Sequence, residues 1–234
     1  MNEPITLVIL VHNEADVIER VIRDFMDKVI NKIPDSEFIV AEDGSTDGTK
    51  EILARLVEEY PSLKWVEGKE RLGYVRAYKR AMSLAKNKLI LFCDSGGKHD
   101  PNDFWKMYPL MNKYDMVIGY KVKRRDPFYR IIITKMFNFL INTYFGVSFR
   151  DIDCPLRLIK KSAYDNIAKD EWLEKFLVNY ELVIRMVYAG YRVTEVPVIH
   201  FNRESGSSRG LPLNKIPRVI LSTISIMPKI KKKI

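Results

Sequence analysis

Four short runs dominated by apolar residues punctuate the first hundred positions. They are ITLVILV (Ile5–Val11), EFIVA (Glu37–Ala41), LKWV (Leu63–Val66) and KLILFC (Lys88–Cys93). Successive side chains of a strand point to opposite faces, so strands that are apolar on both must be covered on both. Between the runs the spacing becomes helical. Asn13–Met26 repeats apolar residues at Val17, Val21, Ile22 and Phe25, and Lys50–Tyr60 at Ile52, Leu53, Leu56 and Val57. Gly73–Lys86 reads as a third helix and Pro101–Met111 as a fourth, before a strand at Asp115–Tyr120. Strands alternating with helices predict an α/β chain of Rossmann-like type, a mainly parallel sheet with helices on both faces. Ligands of such sheets bind beyond the carboxyl ends of the strands. The residues to inspect are therefore His12-Asn13-Glu14, Glu42-Asp43-Gly44-Ser45, and Asp94 to His99.

Past residue 120 the pattern changes. Phe128–Phe145 is rich in Ile, Phe and Leu with Arg130, Lys135 and Asn138 interspersed; Glu171–Ala189 reads as a helix and Arg192–Ile199 as a strand. The tail is basic and broken by Pro212, Pro217 and Pro228. One domain over 1–210 is expected, with a basic amphipathic appendage over 211–234. The charge of +9 is uneven: Val117–Lys161 carries ten Lys/Arg against three acids, and Arg203–Ile234 eight against one. Such asymmetry points to an anionic partner: nucleic acid, a phosphorylated substrate or a membrane surface. No stretch approaches the roughly 20 apolar residues that span a bilayer. The first residues lack the basic and apolar regions of a signal peptide. Cys93 and Cys154 have no metal-ligand spacing, which suits buried thiols in a reducing compartment.

Two loops carry chemistry. In EDGSTDGT, Asp43 is placed to accept hydrogen bonds from a ribose or base, while Ser45, Thr46 and Asp47 supply helix-capping groups. In LFCDSGGKHDP, Asp94 stands alone where a loop holding a divalent ion beside a diphosphate normally has an Asp-x-Asp pair. Gly96 takes the second position, and Lys98 follows.

VILVHNEADVIERVI, IVAEDGSTDGTKEIL, RLGYVRAYKRAM and LILFCDSGGKHDP occur in the order and spacing of family-2 inverting glycosyltransferases with the GT-A fold, which the chain resembles. Further on, GYKVKRRDPFYR, DIDCPLRLIKKSAY, YELVIRMVYAGYRVTEVPV and HFNRESGSS are similar to the polyprenyl-phosphate sugar transferases, the dolichyl-phosphate mannose synthase group. The resemblance covers roughly residues 5 to 210. It implies a GDP- or UDP-sugar donor near Val11, Asn13, Glu14, Glu42, Asp43, Ser45 and Arg71, with Asp94 and Ser95 at the diphosphate. It also implies that Arg203, Gly206 and Ser208 belong to a loop closing on the donor. Asp94 matches the first carboxylate that binds Mg²⁺ or Mn²⁺; Gly96 and Lys98 replace two further oxygen ligands, so weakened metal dependence is expected, with Lys98 beside the leaving diphosphate. His200 is a candidate ligand or phosphate contact.

By the same resemblance, Arg124, Arg130 and Thr134 hold the acceptor phosphate, a task suited to the planar fork of arginine. A phosphate acceptor is already an anion and needs no strong base. A sugar hydroxyl would need one, and Asp153 or Asp151 is the candidate. His12 is expected to pack at its strand end, His99 to orient its loop, and Glu181 to anchor a helix. A nucleotidyltransferase should carry a Gly-rich, Arg-containing loop after the first strand, which VHNEA is not. A nucleic-acid binder does not need the EDGSTDGT crevice, and no nucleic acid is expected. A non-catalytic relative that binds without turnover is the remaining alternative. The expected location is the cytoplasmic face of a membrane, held peripherally on anionic lipid, with room for a separate membrane-spanning partner.

Overall fold

A computed structural model describes residues 3–122, 128–169, 178–201 and 216–234. Seven strands form one sheet: β1 (Ile5–Val11), β2 (Glu37–Glu42), β3 (Leu63–Val66), β4 (Leu89–Asp94), β5 (Met116–Val122), β6 (Arg157–Lys160) and β7 (Val193–Ile199), in the order β3-β2-β1-β4-β6-β5-β7. All pairings are parallel except those of β6, which runs antiparallel to both β4 and β5. β1, β2, β4, β5 and β7 therefore end at one edge, and β6 begins there.

The helices are α1 (Ile18–Lys28), α2 (Thr49–Glu59), α3 (Tyr74–Ser83), α4 (Phe104–Met107), α5 (Phe128–Phe145), α6 (Lys161–Ala168), α7 (Val178–Tyr188) and α8 (Ile216–Lys233). Register fixes which face each covers. Phe38 lies level with Leu7 and Leu91, whereas Phe92 lies level with Val8, so Phe38 and Phe92 project from opposite faces. Phe25 of α1 meets the ring of Phe38 and Tyr78 of α3 meets that of Phe92, which puts α1 and α3 on opposite sides of the sheet. The doubly covered architecture is the one that the apolar strands require.

Several elements differ from the sequence reading. The first helix starts at Ile18, because Asn13 adopts a left-handed φ of 54° and residues 13–15 give their N–H groups to a neighbouring loop. Residues 101–112 are 3₁₀ turns around the short α4, interrupted where Pro109 has no N–H to continue the helix. Ser45 does not cap α2; its hydroxyl accepts the Asn13 N–H at 2.8 Å, while Asp47 accepts that of Thr49 at 3.1 Å. β6 and α6 were not anticipated. Residues 216–233 of the basic tail are helical as α8, and Met227 and Ile230 are buried in the common core while Leu221 and Ile224 are exposed. Arg185 Nε donates to Glu181 at 2.9 Å, a buried pair one turn apart within α7.

Candidate active site

The edge where the parallel strands end is built by tying loops together. The turn after β1 is fastened to the turn after β2: Asn13, Glu14 and Ala15 donate backbone N–H groups to Ser45 Oγ (2.8 Å), Thr49 Oγ1 (2.9 Å) and Asp47 Oδ2 (3.2 Å). Asn13 Oδ1 accepts the Thr46 N–H at 2.7 Å, and the carbonyl of Val11 accepts that of Asp43 at 2.9 Å. Glu42 is buried; its carboxylate accepts the N–H groups of Ser45 and Gly68 and lies 3.8 Å from Lys50 Nζ. Glu42 thus braces the turn rather than facing a ligand. Asp43 accepts the N–H groups of Leu72 (2.7 Å) and Gly73 (3.1 Å). The segment 68–73 approaches so closely that a Cβ on Gly44 would sit 2.7 Å from the nitrogen of Arg71. Arg71 itself is exposed beside this crevice.

Asp94 ends β4. Its Oδ1 accepts a hydrogen bond from Tyr74 Oη, the first residue of α3, at 3.2 Å. Asp94 is exposed, yet neighbouring protein partly desolvates its carboxyl. That desolvation raises its carboxyl above the usual carboxylate value, and Lys121, the Tyr74 hydroxyl, Arg157 and Lys98 pull it back. Tyr74 is 43% exposed, but desolvation of its hydroxyl, reinforced by the charge of Asp94, holds the phenol above its ordinary pKa, so it donates. Ser95 is buried behind the carboxylate.

Lys121 and Arg157 escaped the sequence reading. Lys121, near the end of β5, places Nζ 3.3 Å from Asp151 Oδ2. Arg157, fully buried at the start of β6, donates to the carbonyls of Asn179 (3.0 Å) and Cys154. The charges of both act on Asp153, whose Oδ1 is buried with no hydrogen-bond partner. Burial pushes Asp153 up to about 7, against the opposing charges of Lys121 and Arg157 and with those of Asp151 and Asp94. The 151–153 loop is held from outside: Ile152 donates to Asn138 Oδ1 of α5 at 3.0 Å, and the N–H groups of Arg150 and Asp151 go to Glu195 of β7.

The two sequence-distant histidines meet. His99 and His200 form an isolated antiparallel bridge with ring centroids 5.7 Å apart, and Phe201 donates its N–H to the carbonyl of Lys98 at 2.8 Å. Burial, with the charges of Lys121, His200 and Lys98, holds His99 well below the ordinary histidine value, so its ring is neutral. His12 lies half-buried just past β1, consistent with packing there. On α5, Thr134 Oγ1 donates to the carbonyl of Arg130 at 2.9 Å, and both side chains are half-buried. Arg124, Arg203, Gly206 and Ser208 lie outside the described residues.

The second carboxylate of the family pattern is missing beside Asp94. A Cβ at Gly96 would meet nothing within 4 Å, so the position has room for a second carboxylate but carries none. Among the described residues no group of three His, Cys, Asp or Glu side chains could hold a metal ion. His200 packs against His99.

Residues 6–168 match the family described as Glycosyl transferase family 2. The chain belongs to that family. Among curated relatives of this glycosyltransferase is the dodecaprenyl-phosphate galacturonate synthase of Rhizobium johnstonii, 26% identical, covering 97% of this chain and 68% of the relative. Another is the undecaprenyl-phosphate 4-deoxy-4-formamido-L-arabinose transferase of Salmonella choleraesuis, 24% identical, covering 88% and 62%. This family-2 chain thus spans about two thirds of the length of these relatives. Solved structures with the same fold include a mannosyltransferase of Pyrobaculum calidifontis in complex with GDP-Man and Mn²⁺ (TM-score 0.66, 18% identity, 90% of this chain and 59% of that one). The glucosyl-3-phosphoglycerate synthase of Mycobacterium tuberculosis, in complex with Mn²⁺, UDP and phosphoglyceric acid, also matches (TM-score 0.70, 17% identity, 96% and 78%). The GT-A expectation for the fold holds, and structural neighbours of this glycosyltransferase bind a divalent metal.

Proposed function

We propose that this glycosyltransferase moves a sugar from a GDP- or UDP-sugar to a polyprenyl phosphate with inversion. The observation that supports this reading is Lys121 at the end of β5 against the Asp151–Asp153 loop, with Arg130 and Thr134 one turn apart on α5. A phosphate oxygen attacks the anomeric carbon from the face opposite the nucleotide. The bond to the donor's diphosphate breaks, and the diphosphate leaves with the electron pair. No proton must be removed from an acceptor already ionised at pH 7.

Lys98, whose charge acts on Asp94, faces the departing diphosphate in this reading. A unit charge at about 4 Å is worth on the order of 4 kcal/mol at an effective dielectric of 20. Mg²⁺ or Mn²⁺ would find in Asp94 a single carboxylate, so activity should survive partly in EDTA. Transfer from a panel of GDP- and UDP-sugars to a short polyprenyl phosphate tests the whole reading.

Peripheral attachment to the cytoplasmic face of an anionic membrane accompanies it. Among the described residues no helix is long and apolar enough to cross a bilayer. Support comes from exposed apolar residues on α5 (Phe128, Met136 and Phe139) and α8 (Leu221 and Ile224), together with Lys231–Lys233 at the end of α8. A separate membrane-spanning partner is compatible with these faces.

A sugar hydroxyl acceptor is the second reading. Asp153 favours it, since a carboxylate near pH 7 with an unbonded buried oxygen suits a general base. Transfer to polar sugar acceptors that vanishes in Asp153→Asn would establish it.

A further inference from the structure

The turn 71–74 is bonded on both flanks. On one side Leu72 and Gly73 give their N–H groups to Asp43; on the other Tyr74 gives its hydroxyl to Asp94. The start of the turn lies against the backbone of the loop after β2: a Cβ on Gly44 would fall 2.7 Å from the nitrogen of Arg71. Gly73, with φ 83°, then sets the start of α3 and fixes where the Tyr74 side chain leaves it. The position of the phenol is thus dictated by the β2 edge, while its hydrogen bond acts on the β4 edge.

Asp94 is short of partners of another kind. The space beside Gly96, where the family pattern has a second carboxylate, is open. We infer that Tyr74 is a positioning residue of the diphosphate subsite: its hydroxyl holds the Asp94 carboxylate in place, and the turn it begins couples that subsite to Asp43. The inference rests on the reading of this edge as a nucleotide-sugar site. A phenol donating to a carboxylate makes a charge-assisted bond and competes with an arriving ion for part of the carboxylate's acceptor capacity. Tyr74 therefore opposes metal binding while supporting a metal-free arrangement. A merely structural tyrosine would do neither.

The test pairs Mn²⁺ binding, followed by the EPR signal of free Mn²⁺ in the presence of UDP or of GDP, with sugar-nucleotide turnover in EDTA. Wild type is compared with Tyr74→Phe, which keeps the ring, and with Gly96→Asp, which places a carboxylate in open space. Loss of one charge-assisted hydrogen bond corresponds to about a 10-fold effect. Tyr74→Phe should bind Mn²⁺ several-fold more tightly and lose about 10-fold in EDTA turnover; Gly96→Asp should bind Mn²⁺ at least about 10-fold more tightly. Opposite movement of the two Tyr74→Phe readouts supports the inference. Weaker Mn²⁺ binding in that variant, or no change in either readout, overturns it. The Mn²⁺ measurement needs no acceptor, so a failure of the polyprenyl phosphate reading leaves this test intact.

Discussion

Lys121 Nζ and Asp151 Oδ2 stand 3.3 Å apart where β5 ends and the loop into β6 begins, and both side chains are largely buried. The pair places a fixed cation beside three carboxylates, because the charge of Lys121 also acts on Asp94 and Asp153. Lys121→Met should leave those acids facing one another. Loss of a preorganised electrostatic contact of this kind costs about 10²–10³-fold in kcat. The acid limb of the pH–rate profile should also move upward, since the cation no longer favours the ionised carboxylates. Steady-state kinetics across pH 5–9 checks both.

Asp153 makes a prediction about stability. Its folded value of about 7 lies above the 3.8 of an ordinary aspartate. The folded state therefore binds its proton more tightly than the unfolded state does. Stability from this group is full below about pH 4 and is lost as pH rises toward 7. Asp153→Asn should thus melt higher than wild type at pH 8, by about 1–2 kcal/mol or a few degrees after allowing for partial solvent access, and lose that advantage at pH 4. Thermal melts at the two pH values decide it.

Two glycines should respond differently to the same methyl group. Gly44 has φ +69°, and its added Cβ would press on the backbone of Glu70 and Arg71; Gly96 faces open space. Gly44→Ala should destabilise by about 1–3 kcal/mol and weaken nucleotide binding. Gly96→Ala should stay within about 0.5 kcal/mol of wild type. Denaturant titration compares them, and calorimetry with UDP and GDP reads the binding.

The two sides of α8 should separate folding from attachment. Met227 and Ile230 are buried, while Leu221 is 69% exposed. Met227→Ala should cost about 2–5 kcal/mol of stability. Leu221→Glu with Ile224→Glu should leave the melting temperature within about 2 °C, as surface changes do, yet reduce sedimentation with anionic liposomes. Equal binding of wild type to neutral and anionic vesicles would count against the electrostatic part of this attachment.

The parallel sheet was legible because buried strands must be apolar on both faces, and the strand-end rule led directly to Asp43 and Asp94. What remained hidden depends on contacts between distant residues. Arg157 interrupts the apolar pattern of β6, and its burial is explained only by the carbonyls of Cys154 and Asn179. The late start of α1 comes from N–H groups that Ser45, Asp47 and Thr49 claim from another loop. Tyr74 looks like an ordinary first helical residue until the end of β4 is brought beside it. Lys121 could have been found, since it lies at the end of a parallel strand in a basic segment.

The most direct measurement is transfer of radiolabelled sugar from GDP- and UDP-sugars to a short polyprenyl phosphate, with anionic vesicles present and with either EDTA or Mn²⁺. The account predicts label in an organic-extractable, phosphate-linked product with at least one donor, with inverted anomeric configuration and substantial rate in EDTA. Nucleotide-sugar binding with label passing only to sugar hydroxyls, and only while Asp153 is intact, would contradict it.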